Sequence, residues 1–151
     1  MLLPLGYFFV IVIVMDVSGQ NRKVLIIDDN EDIRTIYSTS FEQAGYKVLT
    51  TNDGLAGITE IAEFNPTVII LDLLMPEMDG YEFISNLRNN TSIKAPIIVT
   101  SSFPDEDKKK DAIERGADLY LVKSDYSGEE LVGVVDRFLL NWRIKPNDES
   151  N

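Results

Sequence analysis

Five short runs rich in Val, Ile and Leu punctuate the chain, at 23–28 (KVLIID), 46–52 (YKVLTTN), 67–72 (TVIILD), 95–102 (APIIVTSS) and 118–122 (DLYLV). Each reads as a strand, and the segments between them change to helical spacing. Ile33, Ile36, Tyr37, Ser40, Phe41 and Ala44 mark a first helix with Gly45 as its stop signal. Leu55, Ile58, Ile61 and Ala62 mark a second, closed before Pro66. A loop with Pro76 and Gly80 leads into a third through Tyr81, Ile84 and Leu87. Pro104 is expected to open a fourth, at a position where its missing N–H costs nothing, and Gly116 to end it. Leu131, Val134, Val135, Phe138 and Leu139 define a fifth, with Trp142 near its end. Strands this continuously apolar must be covered on both faces, so the alternation predicts an α/β fold with a doubly wound, five-stranded parallel sheet. No internal repeat or low-complexity linker breaks it. One domain is expected over 21–142, followed by a polar tail at 143–151.

In open parallel sheets, sites form beyond the carboxyl ends of the strands. The first strand here runs into Asp28 and Asp29, the third ends in Asp72, the fourth contains Thr100 and the fifth runs into Lys123. A single Asp at a strand end is more often a helix cap or turn former, and a single Lys is usually just exposed. The conjunction on four separate strands is what points to a site. Carboxylates on adjacent strands lie about 4.8 Å apart and would repel unless a cation sat among them. Ligands made only of oxygen suit Mg²⁺, or Mn²⁺, rather than zinc. Lys123 would leave such a pocket partly neutralised and receptive to an anion.

With these residues in view, the chain resembles the receiver domains of two-component response regulators, the CheY-like family. The matching features are LIIDDNEDIR, IILDLLMPEMDGYEF, PIIVTS and GADLYLVK with the spacing between them, covering about residues 22 to 142. The resemblance implies a flavodoxin-like three-layer sandwich with strand order 2-1-3-4-5. It also implies that Asp72 accepts a phosphoryl group from a histidine on a partner, either a sensor histidine kinase or a His-containing phosphotransfer protein. Asp29 and Asp72 would bind Mg²⁺ directly with the backbone carbonyl of Leu74, and Asp28 through a water. Thr100 and Lys123 would stabilise the phosphoryl oxygens, and Tyr120 would be the switch aromatic, turning inward as Thr100 moves. A downstream protein target would meet the face formed by Thr100, Phe103, Tyr120 and the last helix. The implied protein is a cytoplasmic signalling domain, not an enzyme in the ordinary sense, and it assists only its own phosphorylation and dephosphorylation.

The chain departs from the family pattern at Ser124, where a proline joined to the lysine by a cis bond is usual, and at Ser101, where alanine is commoner. A cis bond to serine costs roughly 2.5–4 kcal/mol, so the loop is expected to be either trans and rearranged or strained. The run DEDKKKD at 105–111 could be a docking patch, but acids followed by lysines suit the dipole of a helix beginning there. Three other functions compete with this one. A phosphatase of the haloacid dehalogenase type needs a second Asp two residues after its nucleophile, where this chain has Leu74. An FMN carrier would need a phosphate loop after the first strand, where DDNEDIR is acidic. A receiver-fold scaffold that binds proteins without phosphorylation is the remaining alternative. Nine residues follow Trp142, so a stand-alone receiver is expected.

A formal net charge of −11 argues against nucleic acid as a partner. The chain has no cysteine and no histidine, which removes disulfides, thiolate metal sites and a phosphohistidine of its own. Residues 1–20 form an apolar extension in which LLPLGYFFVIVIVM carries no charge. It is shorter than the roughly 20 residues a spanning helix needs. A membrane anchor, an extra strand, and a natural start at Met15 are its three readings. Membrane contact is expected only under the first.

Overall fold

In a computed structural model of the chain, residues 21–144 are described. The N-terminal extension and the tail beyond 144 lie outside them. The order of elements is β1 (Lys23–Ile27), α1 (Glu31–Gln43), β2 (Lys47–Thr51), α2 (Gly54–Phe64), β3 (Val68–Asp72), α3 (Gly80–Asn90), β4 (Ile97–Ser101), α4 (Glu106–Arg115), β5 (Leu119–Val122), a 3₁₀ turn (Lys123–Asp125) and α5 (Gly128–Ile144). All strand pairs are parallel, in the order β2-β1-β3-β4-β5. This is the expected flavodoxin-like arrangement, and none of the described helices is long and apolar enough to cross a membrane.

Successive strand residues point to opposite faces, and the core divides accordingly. Leu25, Ile27, Ile69, Leu71, Ile97, Val99 and Tyr120 face α2, α3 and α4, whose Ile61, Phe83, Ile84, Leu87 and Ala112 cover them. Val24, Ile26, Val68, Ile70, Ile98 and Leu121 face α1 and α5, which supply Tyr37, Phe41, Leu131, Val132, Val135 and Leu139. Burial on both sides is why β3 and β4 read as unbroken apolar runs.

Each helix begins on a side-chain cap. Asn30, Asp53, Asp79 and Asp105 accept hydrogen bonds from backbone amides two or three residues on. Ser127 and Glu130 cap α5 reciprocally, through Glu130 N–H to Ser127 Oγ at 3.2 Å and Ser127 N–H to Glu130 Oε2 at 2.8 Å. One expectation is corrected here. Pro104 does not open α4. It precedes Asp105, whose carboxylate holds the amides of Asp107 and Lys108 at 3.0 and 3.1 Å, so the acid rather than the imino ring starts the helix.

Candidate functional site

Four of the proposed site residues continue the alternation of the α1/α5 face by one further step. Asp28, Asp72, Thr100 and Lys123 follow Ile26, Ile70, Ile98 and Leu121 by two residues each, so all four project on that face at the carboxyl edge of the sheet. Register completes the gathering, since Asp72 lies directly beside Thr100 on β3 and β4. The close approach needs Gly80 at the start of α3. A Cβ there would meet the Asp72 carbonyl oxygen at 2.6 Å and Leu73 Cα at 2.7 Å.

Asp28 and Asp72 are 1% and 6% exposed, Thr100 2%, while Asp29 stands open to solvent. One carboxylate oxygen from each of Asp28, Asp29 and Asp72 lies within 4.8 Å of the others, a group that could hold a metal ion. The donor set fits a hard divalent cation: the ligands are all carboxylate oxygens, two are buried and fixed, and the exposed third leaves an entry side. Leu74 follows on an exposed loop, and its backbone N–H bonds the Asp72 carboxylate.

Lys123 reaches into the same place. Its Nζ donates to Asp28 Oδ2 at 2.5 Å and stands 3.4 Å from Asp72 Oδ1. No cis peptide bond occurs among the described residues, so the bond to Ser124 is trans. The loop turns as a short 3₁₀ segment, and Lys123 is aimed at the carboxylates without the family's proline. Asp28 is held from its other side by Asn30 N–H at 2.9 Å, and Arg34 Nη1 donates to its backbone carbonyl at 2.8 Å.

These neighbours pull the titrating groups in opposite directions. Burial pushes the Asp72 carboxyl up to about 6, aided by the Asp28 charge and opposed by Lys123 and the Leu74 amide. Burial alone would lower Lys123, but its hydrogen bond to Asp28 and the charge of Asp72 outweigh that and raise it. Thr100 Oγ1 is buried and meets no hydrogen-bond partner. An orphan hydroxyl beside a buried acid is uncommon and indicates a place for a guest atom.

Tyr120 is buried at 9% exposure with its ring already turned in, and its hydroxyl donates to the Phe103 carbonyl at 2.9 Å. Phe103 is half exposed with the Lys108 ammonium 4.7 Å over its ring, whereas Tyr120 and Thr100 are interior. Ser101 is also buried, and its Oγ accepts from Phe103 N–H at 3.3 Å. The DEDKKKD run acts within its own helix through the pairs Lys108–Asp105, Lys109–Glu106 and Lys110–Glu114. The sequence marks Tyr37 only as a helix-spacing residue. It is 4% exposed on the face that carries the site, and the signal for it was a phenol where a plain apolar residue would serve.

A sheet of this order with three acids, a hydroxyl and a lysine gathered at its carboxyl edge is the arrangement of a receiver, and the comparisons agree. The response regulator receiver domain family matches residues 24–136, and the chain belongs to that family, whose members act in two-component signalling. It is 35% identical over 123 residues to protein PilG of Pseudomonas aeruginosa, covering 80% of this chain and 90% of that one. It is 36% identical over 112 residues to the probable transcriptional regulator ycf27 of Porphyridium aerugineum, of which it spans only 45%. The Vibrio cholerae chemotaxis protein CheY4 superimposes with a TM-score of 0.72 at 33% identity, covering 78% of this chain and 98% of that one.

Proposed function

We propose that Asp72 is a phosphoryl acceptor loaded by a phosphohistidine on a sensor histidine kinase or a His-containing phosphotransfer protein. The Asp72 carboxylate oxygen attacks phosphorus, an O–P bond forms as the N–P bond breaks, and the histidine leaves with its electron pair. Asp29, Asp72 and the Leu74 carbonyl would hold Mg²⁺, with Asp28 behind them, and the ion would neutralise charge on the phosphoryl oxygens. Lys123 supplies a fixed positive charge to one side of the transferred group. Thr100 offers the donor its buried hydroxyl otherwise lacks a use for. Burial keeps competing water away and leaves Asp72 less solvated, hence a better nucleophile once its proton is gone.

The observation that carries this reading is the pairing of a buried strand-end carboxylate with the Lys123 ammonium 3.4 Å away and two further carboxylates beside it. Lys123 keeps that aim despite Ser124, which removes the main reason for preferring a scaffold that works unphosphorylated. Output through protein binding by a single receiver is supported by the likeness to PilG, most of whose length the match covers. Phosphorylation would change the population of two arrangements of the Thr100, Phe103 and Tyr120 region, and a target that prefers one would read it.

The test is incubation with acetyl phosphate and Mg²⁺ followed by intact-mass measurement. One added phosphoryl group is expected for the wild type, and none for Asp72→Asn or after chelation of the metal. Uptake that persists in Asp72→Asn would refute the assignment.

A further inference from the structure

Gly133 stands in the body of α5, where glycine weakens a helix relative to alanine. Every other described glycine either takes a positive φ or has a neighbouring atom 3.0 Å or closer to where a Cβ would stand. At Gly133 φ is not positive, and a Cβ would meet only the tip of Arg137, Nη1 at 3.6 Å. Among the described residues, packing within the domain gives no reason for a glycine there. Gly133 also lies in the walls of two clefts. One of about 280 Å³ is shared with Tyr126, Glu130, Val134 and Arg137, and one of about 420 Å³ toward α1 with Ser40, Gln43, Glu129 and Asp136. Glu130, Gly133, Val134 and Arg137 follow the i, i+3, i+4, i+7 spacing of one helix face, with opposite charges at its two ends. Glu130 and Arg137 are exposed, and Arg137 makes no ion pair among the described residues.

We propose that this face of α5 is a self-association surface, on which the α5 of a second copy packs antiparallel about a two-fold axis midway between Gly133 and Val134. Glu130 and Arg137 stand equally far from that midpoint, about 5 Å along the helix in opposite directions. The axis therefore sets Glu130 of each copy against Arg137 of the other and forms two ion pairs. Gly133 meets Gly133 beside them, and the missing side chains let the two backbones approach. A parallel pairing would set Glu130 against Glu130 and Arg137 against Arg137, which repel. A partner of one charge sign would likewise be repelled at one end of the face, whereas a reversed second copy is repelled at neither. The net charge of −11 opposes association, so the dimer is expected to be weak, with a dissociation constant between about 10 μM and 1 mM. The inference does not depend on the role of Asp72.

The test is sedimentation velocity on the full chain at rising concentration, up to about 1 mM. Wild type is expected to pass from monomer to dimer over that range. Arg137→Glu alone and Glu130→Arg alone are each expected to weaken association about tenfold or more, the worth of losing two ion pairs and gaining two repulsions. A mixture of the two variants restores both pairs and is expected to recover the wild-type dimer. Gly133→Ala separates a surface role from a folding role. Alanine is the better helix former and its methyl has room in the monomer, so the dilute variant should melt higher than wild type, yet dimerise more weakly. A wild type that stays monomeric throughout overturns the proposal. So does association that survives both Gly133→Ala and Arg137→Glu, since the copies would then meet through another surface. Glu130 also caps α5, so circular dichroism is recorded on Glu130→Arg. If that helix frays, the Gly133 and Arg137 variants decide.

Discussion

Asp72 sits where water cannot fully solvate its charge, and that sets the first expectation. Its carboxyl rises from 3.8 to about 6, chiefly through burial. A raised acid is a cost to the folded state above its folded pKa. Protonation relieves that cost as pH falls through about 6, and below about 3.8 it is gone. Asp72→Asn should therefore stabilise the protein at pH 7 in the absence of divalent ions, on the order of 2 kcal/mol. The gain should shrink between pH 6 and pH 4. Thermal melts of both proteins across that range check it, and an Asn variant no more stable at pH 7 would contradict the burial argument. Mg²⁺ supplies the missing counter-charge, so adding it should raise the wild-type melting temperature more than that of Asp72→Asn. At a hundredfold excess over its dissociation constant the gain is about 2.7 kcal/mol. Lys123 has the opposite sign. Its pKa is raised, so its contribution persists through the neutral range and is lost only in strong alkali.

At the scale of elements, α5 is fastened to the amino end of the sheet by a cluster remote from the site. Arg22 Nη1 pairs with Asp136 Oδ1 at 2.6 Å, the Tyr46 hydroxyl donates to the same oxygen at 2.6 Å, and the guanidinium lies 4.3 Å from the centre of the Tyr46 ring. Asp136→Ala leaves a mostly buried guanidinium and a phenol without their acceptor. A loss of about 1–3 kcal/mol in urea unfolding is expected, at the low end of a buried pair because Asp136 is partly exposed. Phosphorylation by acetyl phosphate should be little altered. At the α4–β5 junction Gly116 takes φ +117°, and a Cβ would meet Arg88 Cγ at 2.7 Å. Arg88 there also binds the Gly116 carbonyl at 3.1 Å and the Asp118 carboxylate at 2.9 Å. Gly116→Ala combines the backbone penalty with displacement of that arginine, so about 1–2 kcal/mol should be lost. Fluorescence of Trp142 or circular dichroism against denaturant reads either variant.

For the molecule as a whole, the core members among the described residues run from Val24 to Leu139. A chain begun at Met15 is expected to melt at the same temperature as the full chain and to accept phosphate as well. A drop would assign residues 2–14 a structural contribution. The alternation of strands and helices was legible in the sequence because a two-sided core demands uninterrupted apolar strands, a demand that shows in any short window. So was the candidate set Asp28, Asp29, Asp72, Thr100 and Lys123, since strand ends are local features. The order 2-1-3-4-5 came through family likeness, because periodicity says nothing about which strands are neighbours. Helix starts were partly misjudged, as Pro104 and Asp105 compete and only the cap geometry decides between them. What the sequence by itself determined is thus the kind of elements and the chemistry at their ends. Tertiary structure alone decided that four of those residues share the α1/α5 face and that Lys123 meets Asp28 across 95 positions of chain. Those placements depend on strand register and on all five helices packing at once, and no local stretch of residues encodes that.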